Sequence, residues 1–205
     1  MIELFVSSFI TLFVIIDPPG CAPIFAGLTA GATPLHRRAM AVRAVVVAAF
    51  ILLVFALVGE PLLRVLGIEL ASFRIAGGLM LFLIALEMVF EKRTQRREDR
   101  AAKVTAEEAD DVSIFPMAMP MIAGPGSIAS VMLLMARSTG LERSAIVLAA
   151  LGANLLLMLA ALLAAGPLMR VMGAKIEAVI TRLLGVLLAA LAVQFVIDGV
   201  AEQFR

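Results

Sequence analysis

A carboxylate inside an apolar run is the group in this sequence best placed to do chemistry. Asp17 opens the motif Asp17-Pro18-Pro19-Gly20, set within the apolar residues 4–30. An acid at that depth is costly and marks a use, either as a proton or sodium site or as a helix cap. The prolines remove backbone donors and the glycine frees the chain, so a helix stops and restarts there. A matching break, Ala123-Gly124-Pro125-Gly126, interrupts a second apolar run. Each break begins a half-helix, over residues 21–30 and 127–136. A helix start exposes unpaired N–H groups and the positive end of the dipole, which favour anions. Two such starts facing each other suit a small solute bearing a carboxylate. Gly20, Gly124 and Gly126 would let it approach the backbone closely.

Other polar residues in the apolar runs carry two readings each. Ser127 opens the second half-helix, where its hydroxyl serves as a ligand group or bonds the backbone. Asn154 falls mid-span, where an amide bonds a neighbouring helix or lines a cavity. Arg74 and Arg182 stand about a turn inside their spans. They snorkel to the interface, or pair with Glu87 or Asp198, or gate the two entrances. Gly77-Gly78 and Gly185 read as close helix contacts. For the breaks themselves, the competing reading is a pair of kinks made only for packing.

These residues need an unusual scaffold. The chain has 205 residues, 62% of them hydrophobic, with a mean hydropathy of +1.07. Such a chain has lipid as its main solvent. The formal charge of +1 supplies no field for nucleic acid. A lone cysteine, Cys21, excludes an internal disulfide and a cysteine zinc site, and the one histidine, His36, lies in a basic loop. Tyr and Trp are absent, which leaves any interfacial belt to Phe and Arg. The start, Met1-Ile2-Glu3, lacks a basic segment, so the first run reads as a retained span.

Six stretches are long enough to cross a bilayer: residues 4–30, 39–58, 72–90, 114–136, 145–165 and 178–198. The polar residues 91–113 join the third to the fourth and are expected to prolong the third helix into water. Counting Lys and Arg by loop gives eleven on the side of that linker and four on the other. The positive-inside rule then places the linker in the cytoplasm and both termini outside.

An internal repeat explains the two breaks. At an offset of 106 residues, Pro19-Gly20 falls on Pro125-Gly126, Arg37 on Arg143, and Pro61-Leu62 with Arg64 and Gly67 on Pro167-Leu168 with Arg170 and Gly173. After a two-residue shift, Arg74 and Gly77 fall on Arg182 and Gly185. Residues 1–90 and 114–205 are therefore two three-helix repeats. Three spans per half make the halves inverted, with a pseudo-twofold axis in the membrane plane, and bring the breaks together near the midplane. The expected fold is all-α, with helices 1 and 4 broken.

The run Asp17-Pro18-Pro19-Gly20-Cys21-Ala22-Pro23-Ile24-Phe25 resembles the first-span motif of the MarC family of bacterial inner-membrane proteins. The longer run Phe115-Pro116-Met117-Ala118-Met119-Pro120-Met121-Ile122-Ala123-Gly124-Pro125-Gly126-Ser127-Ile128 is similar to that family's second signature. Cys21 departs from it, standing where the resemblance implies a polar side chain such as Asn. The resemblance extends over the whole chain. It implies a multi-pass protein of the LysE-like transporter grouping, in which some relatives move small neutral amino acids.

The expected function is thus transport or export of glycine- or alanine-like solutes by alternating access. The site would comprise Asp17, Pro18, Pro19, Gly20, Ala123, Gly124, Pro125, Gly126, Ser127 and Asn154. Asp17 is the candidate for a coupling proton or sodium ion, and no other cofactor is expected. A passive channel and a structural partner protein stay open as alternatives. An enzyme is not expected, because the sequence has no nucleophile–histidine pair, no metal cluster and no second acid at the breaks.

Overall fold

The computed structural model describes residues 1–92, 95, 111–138 and 140–204. Most of the linker expected to prolong the third helix therefore lies outside the described residues. The described chain is almost entirely helical and contains no strand. In order, the elements are α1 (Ile2–Ile16), α2 (Pro18–Leu28), α3 (Pro34–Val65), α4 (Leu70–Val89), α5 (Ser113–Ile122), α6 (Pro125–Ala136), α7 (Leu141–Leu163) and α8 (Ala165–Gln203).

Five apolar helical stretches are long enough to cross a bilayer. The pair α5 and α6, bent by 52° at its break, makes a sixth if it is counted as one span. The first span, α1 with α2, is 67% buried over its most apolar window, against 28% for α4. It forms the centre of the bundle. Leu12 and Ile16 of α1 pack into a core with α2, α3, α5, α6 and α7. Val14 and Ile15 pack into a second core with α4, α8 and Leu133 of α6. On the outer helices large apolar side chains such as Phe50, Leu83, Leu156 and Leu183 face outward, the arrangement expected where the surroundings are lipid.

Helix ends follow local chemistry. Thr33 caps α3, its hydroxyl accepting from His36 N at 3.3 Å, and Pro34 takes the first turn, where no donor is needed. With 32 residues, α3 is about 48 Å long and outreaches a hydrocarbon core of about 30 Å. It therefore runs past both ends of the expected span, residues 39–58.

α5 differs from the plain helix expected for residues 114–122. Its turns are wide, with Met117 N bonded to Val112 O and Ala123 N to Ala118 O, five residues back. Phe115 (φ −122°, ψ 128°) and Met119 (φ −131°, ψ 124°) are extended. Each precedes a proline, Pro116 and Pro120, through a cis peptide bond. A residue before proline is driven out of the helical region by the ring, which is the physical reason for the irregularity.

α4 and α8, the mates under the repeat, form the most extensive helix pair. A Cβ added at Gly78 would lie 2.8 Å from Ala192 O, one at Gly185 3.1 Å from Ala85 O, and one at Gly199 2.9 Å from Ala71 O. These glycines let the two backbones approach as small residues do between membrane helices. The contacts run in opposite directions along the two chains, so the mates are antiparallel. Ion pairs close both ends, Arg74–Glu202 and Arg182–Glu91, each at 2.5 Å. Other packed pairs exchange under the repeat as well: α1 on α7 matches α5 on α3, and α2 on α8 matches α6 on α4.

Candidate substrate site at the paired helix breaks

At the first break a single residue both ends one helix and starts the next. Asp17 adopts the left-handed conformation (φ 59°, ψ 65°), which Asp tolerates better than most side chains. Its N–H bonds Phe13 O at 2.9 Å, closing α1, and its carbonyl accepts from Cys21 N at 3.1 Å, opening α2. Its Oδ1 accepts from Gly20 N at 3.1 Å. The carboxylate, buried to 1% exposure, is therefore the cap of α2. Pro18 and Gly20 are buried and Pro19 is half-buried.

The second break is built without a side chain. Ala123 leaves the helix (φ −92°, ψ 57°), and Gly124 is extended at the start of α6, which no side chain caps. Gly124 O accepts from Ile128 N at 3.0 Å. A Cβ on Gly124 would lie 2.4 Å from Pro120 O, so only glycine fits. Pro125 is exposed, while Ala123, Gly124, Gly126 and Ser127 are buried.

The second break packs against the end of the helix that leads into the first. A Cβ on Gly126 would stand 3.6 Å from Ile15 Cγ2, two residues before Asp17, and 2.6 Å from Ile84 Cδ1 of α4. Aliphatic side chains from α1 and α4 thus occupy the side of Gly126 that a larger residue would fill. Asn154 is fully buried on α7. Its Nδ2 donates to Phe9 O at 3.1 Å and Ala150 O at 2.9 Å. Phe9 precedes Asp17 by eight residues, about 12 Å along α1, so Asn154 stands apart from the breaks. Asn154 Oδ1 lacks a hydrogen-bond partner, as do the buried Ser8 Oγ on α1 and Ser130 Oγ on α6. These three helices pack on one another, and orphaned polar atoms in such a junction are unusual.

Arg74 and Arg182 lie at opposite ends of the α4–α8 pair. Of the readings open for them, ion pairing is observed, with Glu202 for Arg74 and Glu91 for Arg182. Asp198 instead bonds Arg137 at 2.5 Å and Gln194 Nε2 at 2.7 Å. The Arg137 guanidinium stacks 4.7 Å over the Phe195 ring. Burial holds its pKa below the ordinary value, with nearby Arg74 adding to the effect and Asp198 opposing it. In the sequence Arg137 is one of the four Lys and Arg residues on the side opposite the linker. Its position immediately after an apolar helix was the available signal. Among the described residues no group of His, Cys, Asp and Glu is arranged to hold a metal.

With this geometry in view, comparison with known proteins decides the family. The family model described as MarC family integral membrane protein matches residues 2–204. The chain belongs to the MarC family. A UPF0056 membrane protein of Methanocaldococcus jannaschii is 36% identical over 202 residues, covering 97% of each chain. The Bacillus subtilis UPF0056 membrane protein YvbG is 34% identical, covering all of this chain and 97% of its own. The Escherichia coli inner membrane protein YhgN is 32% identical over 95% of both. No solved structure gives a significant match. As a MarC protein, the chain is a multi-pass integral membrane protein, in agreement with its all-helical fold.

Proposed function

We propose that this MarC protein moves small neutral amino acids of the glycine and alanine class across the bacterial inner membrane by alternating access. One observation carries the reading. Of the two helix starts, α2 already holds an internal carboxylate, Asp17, whereas α6 has no side-chain cap. A zwitterion matches that pair. Its carboxylate belongs at the N–H groups opening α6, beside Gly124, Pro125, Gly126 and Ser127. Its ammonium, or a coupling proton or sodium ion, belongs with Asp17, since a second carboxylate there would meet like charge.

The scaffold supports the same reading. Irregular backbone at membrane depth persists where it is sheltered by protein or lines a cavity. The antiparallel α4–α8 mates suit inverted halves that exchange access about a central site. Ser8, Ser130 and Asn154 offer uncharged hydrogen-bonding atoms along the helices leading from the breaks. Arg74 and Arg182, paired at opposite ends of α4 and α8, are the gating residues of the proposal. Orientation follows the positive-inside rule, with both termini outside. The proposal is of a carrier without catalytic residues or a bound cofactor.

Uptake of labelled glycine and alanine into proteoliposomes, with and without a proton or sodium gradient, tests the reading. Saturable uptake with counterflow is expected. Flux that rises linearly with concentration and shows no counterflow would identify a channel instead.

A further inference from the structure

An open cavity of about 590 Å³ lies between the last three turns of α3 and the α6–α7 junction, away from the helix breaks. Its charged residues are Glu60 and Arg64, one helical turn apart and paired at 3.0 Å. Met132 and Met135 of α6 contribute to its apolar wall, and Ser138 and Ser144 contribute hydroxyls. Ser138 is 3% exposed. Its N–H bonds Met135 O and its carbonyl accepts from Ser144 Oγ, both at 2.9 Å. Its own Oγ is buried without a hydrogen-bond partner. A buried hydroxyl left without a partner is a group that a ligand satisfies.

The repeat sharpens the case. At the offset of 106 residues, Glu60 falls on Gly166, Ser138 on Ala32 and Ser144 on Arg38. Arg64 recurs as Arg170, but Glu60, Ser138 and Ser144 have no counterpart of like chemistry, so the duplication does not account for the combination. An exposed acid–base pair one turn apart is weakly held and opens readily. Once open, it presents an acceptor for an ammonium group beside a donor for an anion. The methionines offer adaptable apolar surface for whatever joins those charges.

We propose that this cavity binds a zwitterion whose anionic group lies close to a primary ammonium. The anionic group pairs with Arg64, the ammonium with Glu60, and a hydrogen bond reaches Ser138 Oγ. Two sources share that chemistry, a phosphatidylethanolamine headgroup and a free amino acid. The site is independent of the transport proposal, because it uses none of the residues at the breaks.

The lone Cys21 is buried, so a thiol-reactive dye reports unfolding of the full-length protein in detergent. Melting would be followed during titration with dihexanoyl phosphatidylethanolamine, dihexanoyl phosphatidylglycerol or alanine. A saturable rise in Tm is expected with one or both ammonium-bearing ligands and none with the glycerol lipid. Glu60→Gln and Arg64→Gln should each raise the half-saturating concentration at least about tenfold. A response to phosphatidylethanolamine alone assigns the cavity to lipid, and one to alanine alone that both cavity substitutions weaken assigns it to the free solute. The proposal fails if neither zwitterion shifts Tm, if phosphatidylglycerol acts equally, or if the response survives both substitutions. An alanine response lost in Asp17→Asn but kept in both cavity variants belongs to the breaks and also overturns it.

Discussion

The two helix breaks occupy equivalent places in the repeat and solve the same problem differently. At the first, a charged side chain supplies the cap: Asp17 turns the chain in a left-handed conformation and bonds Gly20 N. At the second, closeness supplies the turn: Gly124 packs against Pro120 O, and α6 starts without a side-chain cap. One helix start carries a capping carboxylate, and the other has no side-chain cap. A symmetric scaffold has thus acquired a polar direction at its centre, which a symmetric anion site would not need.

The largest effect of a substitution is expected at the uncapped break. Gly124→Ala sets a methyl group against a backbone carbonyl that no rotamer change can move. Its cost should reach or exceed the roughly 1–3 kcal/mol of ordinary overpacking, read as a large loss of folded yield and of Tm in detergent. A fully stable Gly124→Ala would show that closeness does not shape this turn.

The capped break is next. Asp17→Ala removes the cap and puts alanine in a left-handed conformation, a combined cost of about 2 kcal/mol. Asp17→Asn keeps an acceptor for Gly20 N and suits the same conformation, so its stability should stay within about 0.5 kcal/mol of wild type. It should still lose ion-coupled transport, because the charge is gone. If Asp17→Asn transports normally, the acid is a cap and nothing more.

Smaller effects separate the two ends of α4 and α8. The Arg74 side chain is 11% exposed and that of Arg182 54% exposed. Arg74→Gln should cost about 1–2 kcal/mol, after discounting for the partly exposed Glu202, and Arg182→Gln about 0–1 kcal/mol. Thermal melts of the two variants side by side check the order. Asn154→Ala should cost about 1 kcal/mol through the lost bond to Phe9 O. It should leave solute selectivity unchanged if Asn154 only ties α7 to α1.

Much of this architecture was legible in the sequence because proline, glycine and arginine recur at one offset, where shared leucine or alanine would carry little information. Both breaks stand where their prolines put them, and Gly78 and Gly185 make the close contacts their type implied. α5 was less legible. Phe115-Pro116 and Met119-Pro120 were visible as pre-proline pairs, but the apolar run around them suggested a regular helix. Ion-pair partners were misjudged for a geometric reason. Arg74 and Arg182 reach acids beyond the ends of the apolar spans, and the register of an antiparallel pair cannot be read from either strand of sequence alone. The difference between the two breaks was present as Asp17 against Ala123. Its meaning required seeing that the Asp17 side chain bonds Gly20 N at the start of α2, while no side chain caps α6.

Counterflow of labelled alanine in proteoliposomes, challenged separately with unlabelled alanine, propionate and ethylamine, addresses that division of labour most directly. Saturable exchange that alanine suppresses and the two single-charge analogues do not is the expected result, because each analogue satisfies only one break. Suppression by propionate as strong as that by alanine would mean that both helix starts serve the carboxylate. That outcome, or the absence of saturable exchange, would contradict the account.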